Sequence, residues 1–173
     1  MALMAASRRE TEAPRLPFWL VLLAPPIAIG LDSFLPVHLA FTAILDLPLL
    51  VVIYFATVKR SPVVGACAGG MIGILQDALT RQPLGVNGIT KTVVGYIAGL
   101  LGNRIDTDNP VARLLFLFTL FLLHSCFYWV LVHKLLTEPL AWSWMHELVR
   151  AGVNAPIGVL LYGAFDMTRG RDR

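Results

Sequence analysis

The stretch GGMIGILQDALTRQPLG, residues 69 to 85, places an aspartate and an arginine inside chain that otherwise reads as membrane-embedded. Taken one turn further back, it contains a regular series. Gly65, Gly69, Gly73, Asp77 and Arg81 recur every fourth residue, which sets them along one slowly winding ridge of a helix. After Pro83 and Leu84 the step repeats in Asn87, Lys91, Gly95 and Gly99. An antiparallel hairpin turning at Pro83 and Leu84 brings Gly69 level with Gly99, Gly73 with Gly95, Asp77 with Lys91 and Arg81 with Asn87. Small residues at this spacing let backbones approach closely, which matters because lipid supplies no hydrophobic drive for helices to associate. Gly65, Gly69, Gly73, Gly95 and Gly99 are therefore expected to be helix-packing positions. Asp77 lies about two turns inside the hairpin's end, where a central charge costs about 2.5 kcal/mol or more, so Lys91 or Arg81 is expected as its partner. The stripe reads either as an ion or substrate relay or as a structural clamp, and Lys91 alone can also snorkel outward. Its charges neutralise one another and no second acidic pair lies on it. That favours Asp77, Arg81, Asn87 and Lys91 as structural or partner-coupling residues.

The rest of the chain has the same character. Of its 173 residues 57% are hydrophobic and 14% charged, with a mean hydropathy of +0.70, which is too apolar for an ordinary soluble domain. At about 20 residues per crossing the length accommodates roughly six spans and no separate soluble domain. The expected fold is an all-α six-helix transmembrane bundle, with helices at about 17 to 35, 38 to 57, 62 to 81, 85 to 103, 111 to 134 and 145 to 166. Pro25, Pro26 and Pro48 are expected to kink the first two. Residues 1–16 read as a disordered tail, 17–167 as the membrane domain and 168–173 as a basic tail. A basic start followed by an apolar run is also the layout of a cleaved signal peptide, but five more apolar segments follow and no clear A-x-A site does. The run is read as a retained first span.

Counting cations orients the bundle. Arg8, Arg9, Arg15, Lys59, Arg60, Arg104, Arg113, Arg169, Arg171 and Arg173 fall on one side, against Arg81 and Lys134 near the opposite loops. The positive-inside rule places the first set, and both termini, in the cytoplasm. Trp142 and Trp144 then sit where an outer aromatic belt belongs. The net charge of +3 carries no basic cluster with interleaved aromatics, so nucleic acid is not an expected partner. Cys67 and Cys126 lie in spans without CxxC or histidine at ligand spacing, and read as small core residues, with no metal or cofactor.

Other intramembrane polar residues are fewer. Asp46, two residues before Pro48, is placed to meet backbone N–H groups freed at a kinked helix end, with a proton-relay role as the lesser reading. Arg150 and Asn154 share a face, and Glu147 one turn earlier suggests a local ion pair with Arg150. Asn154 is expected to cap a bend or bond across to a neighbour, and Arg150 to contact a partner or a lipid headgroup rather than catalyse. His124 and Ser125 invite a hydrolase reading, but the chain has no GxSxG elbow, no YD or GxGD aspartates and no HExxH. No catalytic residue is assigned and the chain is not expected to be an enzyme.

The run GACAGGMIGILQDALTRQPLGVNGITKTVVGYIAGLLGNRI, together with RAGVNAPIGVLLYGAF, resembles the rod shape-determining membrane protein MreD family. The matching features are the glycine-rich third helix ending in Asp77, the Leu84-Gly85 turn, Gly95-Tyr96 in the fourth helix and the Asn154-x-Pro156 of the last. Where the family shows a Pro-Asp pair near the start of the second span, this chain has Asp46 ahead of Pro48. The resemblance implies a non-enzymatic scaffold of the bacterial cell-elongation machinery in the inner membrane. Its implied partners are the bitopic protein MreC, the actin-like MreB filament and the glycosyltransferase and transpeptidase that build lateral peptidoglycan. It also implies a fold similar to the substrate-binding subunits of energy-coupling-factor vitamin transporters. A vitamin-binding transporter subunit is the alternative, and short outer connections near Asp32 to Val37, Gln82 to Pro83 and Leu135 to Trp144 argue for the scaffold.

Overall fold

A computed structural model describes residues 16–80, 83–102, 104–105, 109–135 and 142–170. Residues 1–15 and 171–173, which include nearly all of the first expected tail and half of the second, lie outside the described residues, as does Arg81. The described residues form six α-helices: α1 (Phe18–His38), α2 (Leu47–Lys59), α3 (Pro62–Thr80), α4 (Val86–Leu101), α5 (Pro110–Leu135) and α6 (Trp144–Gly170). There is no strand among the described residues, so the chain is all-α. Helices α1, α3, α5 and α6 are long and apolar enough to cross a membrane. Helices α2 and α4 are shorter: the 13 residues of α2 reach about 20 Å, against about 30 Å of bilayer hydrocarbon.

The second helix begins well after the expected position 38. Residues Ala40–Ile44 form a short 3-10 segment, and α2 starts only at Leu47. Two local features set that start. Asp46 is the N-cap, its carboxylate accepting from the Leu49 N–H at 3.0 Å, and Pro48 follows in the first turn, where its missing N–H costs nothing. Pro48 therefore opens a helix instead of kinking one. In α1, by contrast, Pro25, Pro26 and Pro36 all lie inside a continuous helix, which absorbs the expected Asp32 to Val37 connection.

Every residue from Pro48 to Thr57 is buried, so α2 is apolar all round because it is enclosed all round. Around it stand α1, α3 and α4, with Tyr54, Leu50 and Ile53 at the centre of the core. Tyr162 of α6 donates its hydroxyl to the Leu50 carbonyl at 2.8 Å and packs against Tyr54, with ring centres 5.0 Å apart. Cys67 and Cys126 are exposed on the outer surface of the bundle, not in its core. Lipid is as apolar as the interior, so hydropathy alone does not distinguish the two positions.

The hairpin of α3 and α4 is the most extensive helix pairing, and its glycines are what close it. A Cβ added at Gly65 would overlap the Gly95 carbonyl, one at Gly69 the Lys91 carbonyl, and one at Gly73 the Asn87 carbonyl. A Cβ at Gly99 would stand 2.5 Å from the Ser61 carbonyl oxygen. The register differs from the expected one. Gly69 sits against Lys91 instead of Gly99, a slide of eight residues or about two turns. A four-residue repeat on both helices fits either register equally well.

Overpacking of this kind costs about 1–3 kcal/mol or more. Gly69→Leu is expected to lower the thermal unfolding temperature of the detergent-solubilised protein strongly. Gly152→Ala, where nothing lies within 4 Å, is expected to leave it nearly unchanged. Equal melting of the two variants would show that the hairpin is not closed by its glycines.

Candidate functional site

Five helices deliver polar side chains to one end of the bundle, where α1 and α3 finish and α2, α4 and α6 begin. Call this the apical end, and the opposite one, where α2 and α6 finish, the basal end. Lys91 of α4 has no exposed surface, and Asp46 is 2% exposed. The Lys91 ammonium donates to Asp46 Oδ1 at 2.5 Å, and Arg150 of α6 donates to Asp46 Oδ2 at 3.2 Å. Asn154, one turn beyond Arg150, accepts the Asp46 backbone N–H on Oδ1 at 2.9 Å and donates Nδ2 to the Ile44 carbonyl at 2.8 Å. A single carboxylate at the start of α2 therefore holds α4 and α6, while Asn154 closes the backbone between the 3-10 segment and α2. Two cations on one buried carboxylate are stabilised by mutual attraction in a low dielectric, and either of them left alone there would be costly.

Asp77 and Lys91 do not pair. Asp77 is fully buried, and its carboxylate accepts the backbone N–H groups of Gly85 at 2.9 Å, Gly88 at 3.3 Å and Asn87 at 3.4 Å, with Asn87 Nδ2 at 2.8 Å. It thus caps the first turn of α4 from the neighbouring helix. Unsatisfied N–H groups and the positive end of the dipole are what an anion meets there. Gly85 takes φ +97°, a backbone conformation that a side chain would strain, to turn those amides toward it. This capping sets the hairpin register: the start of α4 is level with Asp77, so Lys91 lies deeper, against Gly69 and beside Asp46. The expected ion pair between Glu147 and Arg150 is also absent. Arg150 turns to Asp46, and Glu147 Oε2 is buried without a hydrogen-bond partner.

Close to this lock lies His124 of α5, 1% exposed, with neither ring nitrogen hydrogen-bonded and its ring stacked at 6.2 Å on Tyr128. It stands within electrostatic reach of Lys91, Asp46 and Arg150. Ser125 beside it is buried too, yet no hydrogen bond joins the two. A second polar group, unforeseen in the sequence, occupies the basal end. Arg113 pairs with Asp166 at 3.0 Å and lies 5.6 Å over the Tyr162 ring, while Tyr54 donates to Asp166 at 3.1 Å. The only signal for it was an aspartate in the last span opposite an arginine at the start of the fifth. No group of three or more metal-ligating side chains occurs among the described residues.

The family described as rod shape-determining protein MreD matches residues 15–151, well over half of the chain. The chain belongs to the MreD family. The match takes in the glycine hairpin, the Asp77 cap and all three charges of the lock. No curated protein and no solved structure matches the chain. MreD membership assigns it to rod-shape determination, a structural role, and with the four span-length helices it makes this a membrane protein.

The geometry predicts which mutations are coupled. Lys91→Met, which strips Asp46 of its closest cation, is expected to cost about 3–5 kcal/mol of stability, with part recovered by adding Asp46→Asn. Asp77→Asn and Lys91→Met share no partner and are expected to add within about 0.5 kcal/mol. A double-mutant cycle on unfolding in detergent reads both couplings. A large Asp77 and Lys91 coupling, or none between Asp46 and Lys91, contradicts this arrangement.

Proposed function

We propose that this protein is a non-enzymatic scaffold of the cell-elongation machinery in the bacterial inner membrane. Its bundle binds MreC and connects the cytoplasmic MreB filament to the glycosyltransferase and transpeptidase that build lateral peptidoglycan. All six helices cross the membrane in this reading, with both termini and the basal end in the cytoplasm, as the distribution of Lys and Arg implies. The observation that carries it is the closed lock of Asp46, Lys91, Arg150 and Asn154. One buried carboxylate shared by two cations ties three helices together, which suits a fixed frame more than a relay. The glycine hairpin has the same effect, joining α3 and α4 at a separation that leaves no room for sliding side chains.

The alternative is a vitamin-binding subunit with the fold of energy-coupling-factor transporter components. One observation favours it: a cavity of about 550 Å³ at the apical end, within the range of small-molecule sites.

Depletion in the host separates the two readings. Under the scaffold reading, cells lose their rod shape, the wild-type protein co-purifies with MreC, and Lys91→Met fails to restore shape. Unchanged shape together with stalled uptake of a vitamin would sink the scaffold in favour of the transporter.

A further inference from the structure

The lock accounts for Asp46 and Lys91 but not for the cavity above them. Asp32 of α1, Gln76 of α3 and Arg150 of α6 line it together with Asp46. Gln76 is only 7% exposed and gives its Nε2 to Asp32 Oδ2 at 3.0 Å, which leaves its Oε1 buried and without a partner. Asp32, half-buried, has no hydrogen bond to its Oδ1 among the described residues. A buried acceptor without a donor is unfavourable, so this part of the wall favours a group rich in N–H, and the carboxylate beside it favours a positive one. Arg150 presents the opposite need. It commits Nη2 to Asp46, and among the described residues its other guanidinium nitrogens have no hydrogen-bond acceptor, so it retains donors for an anion. A ligand that satisfies both carries an ammonium and an anion a few bonds apart.

Its position selects among zwitterions. The cavity is bounded by the last turns of α1 and α3 and the first turns of α4 and α6. Arg150 stands six residues into α6, about 9 Å from Trp144, whose ring packs edge-on to Trp142 at 5.1 Å. Tryptophans of this kind mark the depth of lipid headgroups. Leu79 lines the cavity and is 61% exposed, offering apolar surface to an acyl chain at its mouth.

We propose that this cavity holds the phosphoethanolamine headgroup of a phospholipid, with the phosphate on Arg150 and the ammonium between Asp32 and Gln76 Oε1. A primary ammonium donates three hydrogen bonds. The trimethylammonium of choline donates none, and a glycerol headgroup brings hydroxyls without the charge.

The test is lipid retention by the whole protein. It is reconstituted in phosphatidylcholine nanodiscs containing phosphatidylethanolamine or phosphatidylglycerol, released gently, and its bound lipids are read by native mass spectrometry. Phosphatidylethanolamine is expected to be retained about tenfold over phosphatidylcholine, the ratio of a charge-assisted hydrogen bond. Asp32→Asn and Gln76→Met, neither of which touches the lock, are each expected to remove most of that preference. Equal retention of the two lipids, better retention of phosphatidylglycerol, or a preference unchanged in both variants overturns the proposal. Binding of soluble O-phosphoethanolamine without any lipid preference would assign the site to a free zwitterion and overturn the lipid source.

Discussion

A lysine without exposed surface stays charged in a helix bundle only where a carboxylate meets it directly, and that requirement organises this fold. Lys91 reaches Asp46, and Asp46 is available because it stands at the N-cap of α2 and not within a longer helix. The 3-10 segment before it, the short α2 and the Asn154 bridge to the Ile44 carbonyl are all conditions for that placement. Had α2 begun near residue 38, Asp46 would project a third of the way along a helix. Its backbone N–H would then be bonded within the helix and unavailable to Asn154. The buried charge and the late helix start are one constraint seen from two sides.

The hairpin shows how far a periodic pattern can be read. Glycines every fourth residue in both helices identify two facing ridges, and the structure closes on those ridges. The same regularity makes slides of four or eight residues indistinguishable, since glycine meets glycine or another close carbonyl in each. What decides the register is not the spacing of the repeat but one carboxylate on it, Asp77, collecting the amides of Gly85, Asn87 and Gly88. A turn placed midway between two hydrophobic runs assumes a symmetrical hairpin. The Asp77 cap makes it asymmetrical, with α4 beginning level with Asp77 and so before α3 has ended.

Helix existence and the polar positions were legible because intramembrane charge and long apolar runs are rare and conspicuous. Partner identity was not, because it depends on long-range geometry. Arg150 read locally with Glu147 one turn away, yet its partner lies more than a hundred positions earlier in the chain. Asp46 read as a residue beside a kink, and Pro48 was the reason. The same proline at the first turn of a helix is favourable, so one residue supports two opposite readings until the helix boundary is known.

The two polar groups also divide the bundle into a stiff part and a looser one. Helix α6 is tied to α2 at both ends, through Arg150 and Asn154 on Asp46 at the apical end and through Asp166 on Tyr54 at the basal end, with Tyr162 on Leu50 between them. Three attachments along one helix resist both sliding and rotation. Helix α1 has a single polar side-chain contact to the rest among the described residues, Gln76 on Asp32, and is otherwise held by apolar packing. Apolar packing between helices in lipid is weakly directional, because the tails outside are as apolar as the side chains inside. Any change of shape at the apical cavity should therefore be sought in α1 moving against a fixed frame of α2 and α6. For a scaffold, that arrangement keeps the spacing between its two faces constant while leaving one helix able to respond to what sits beside it.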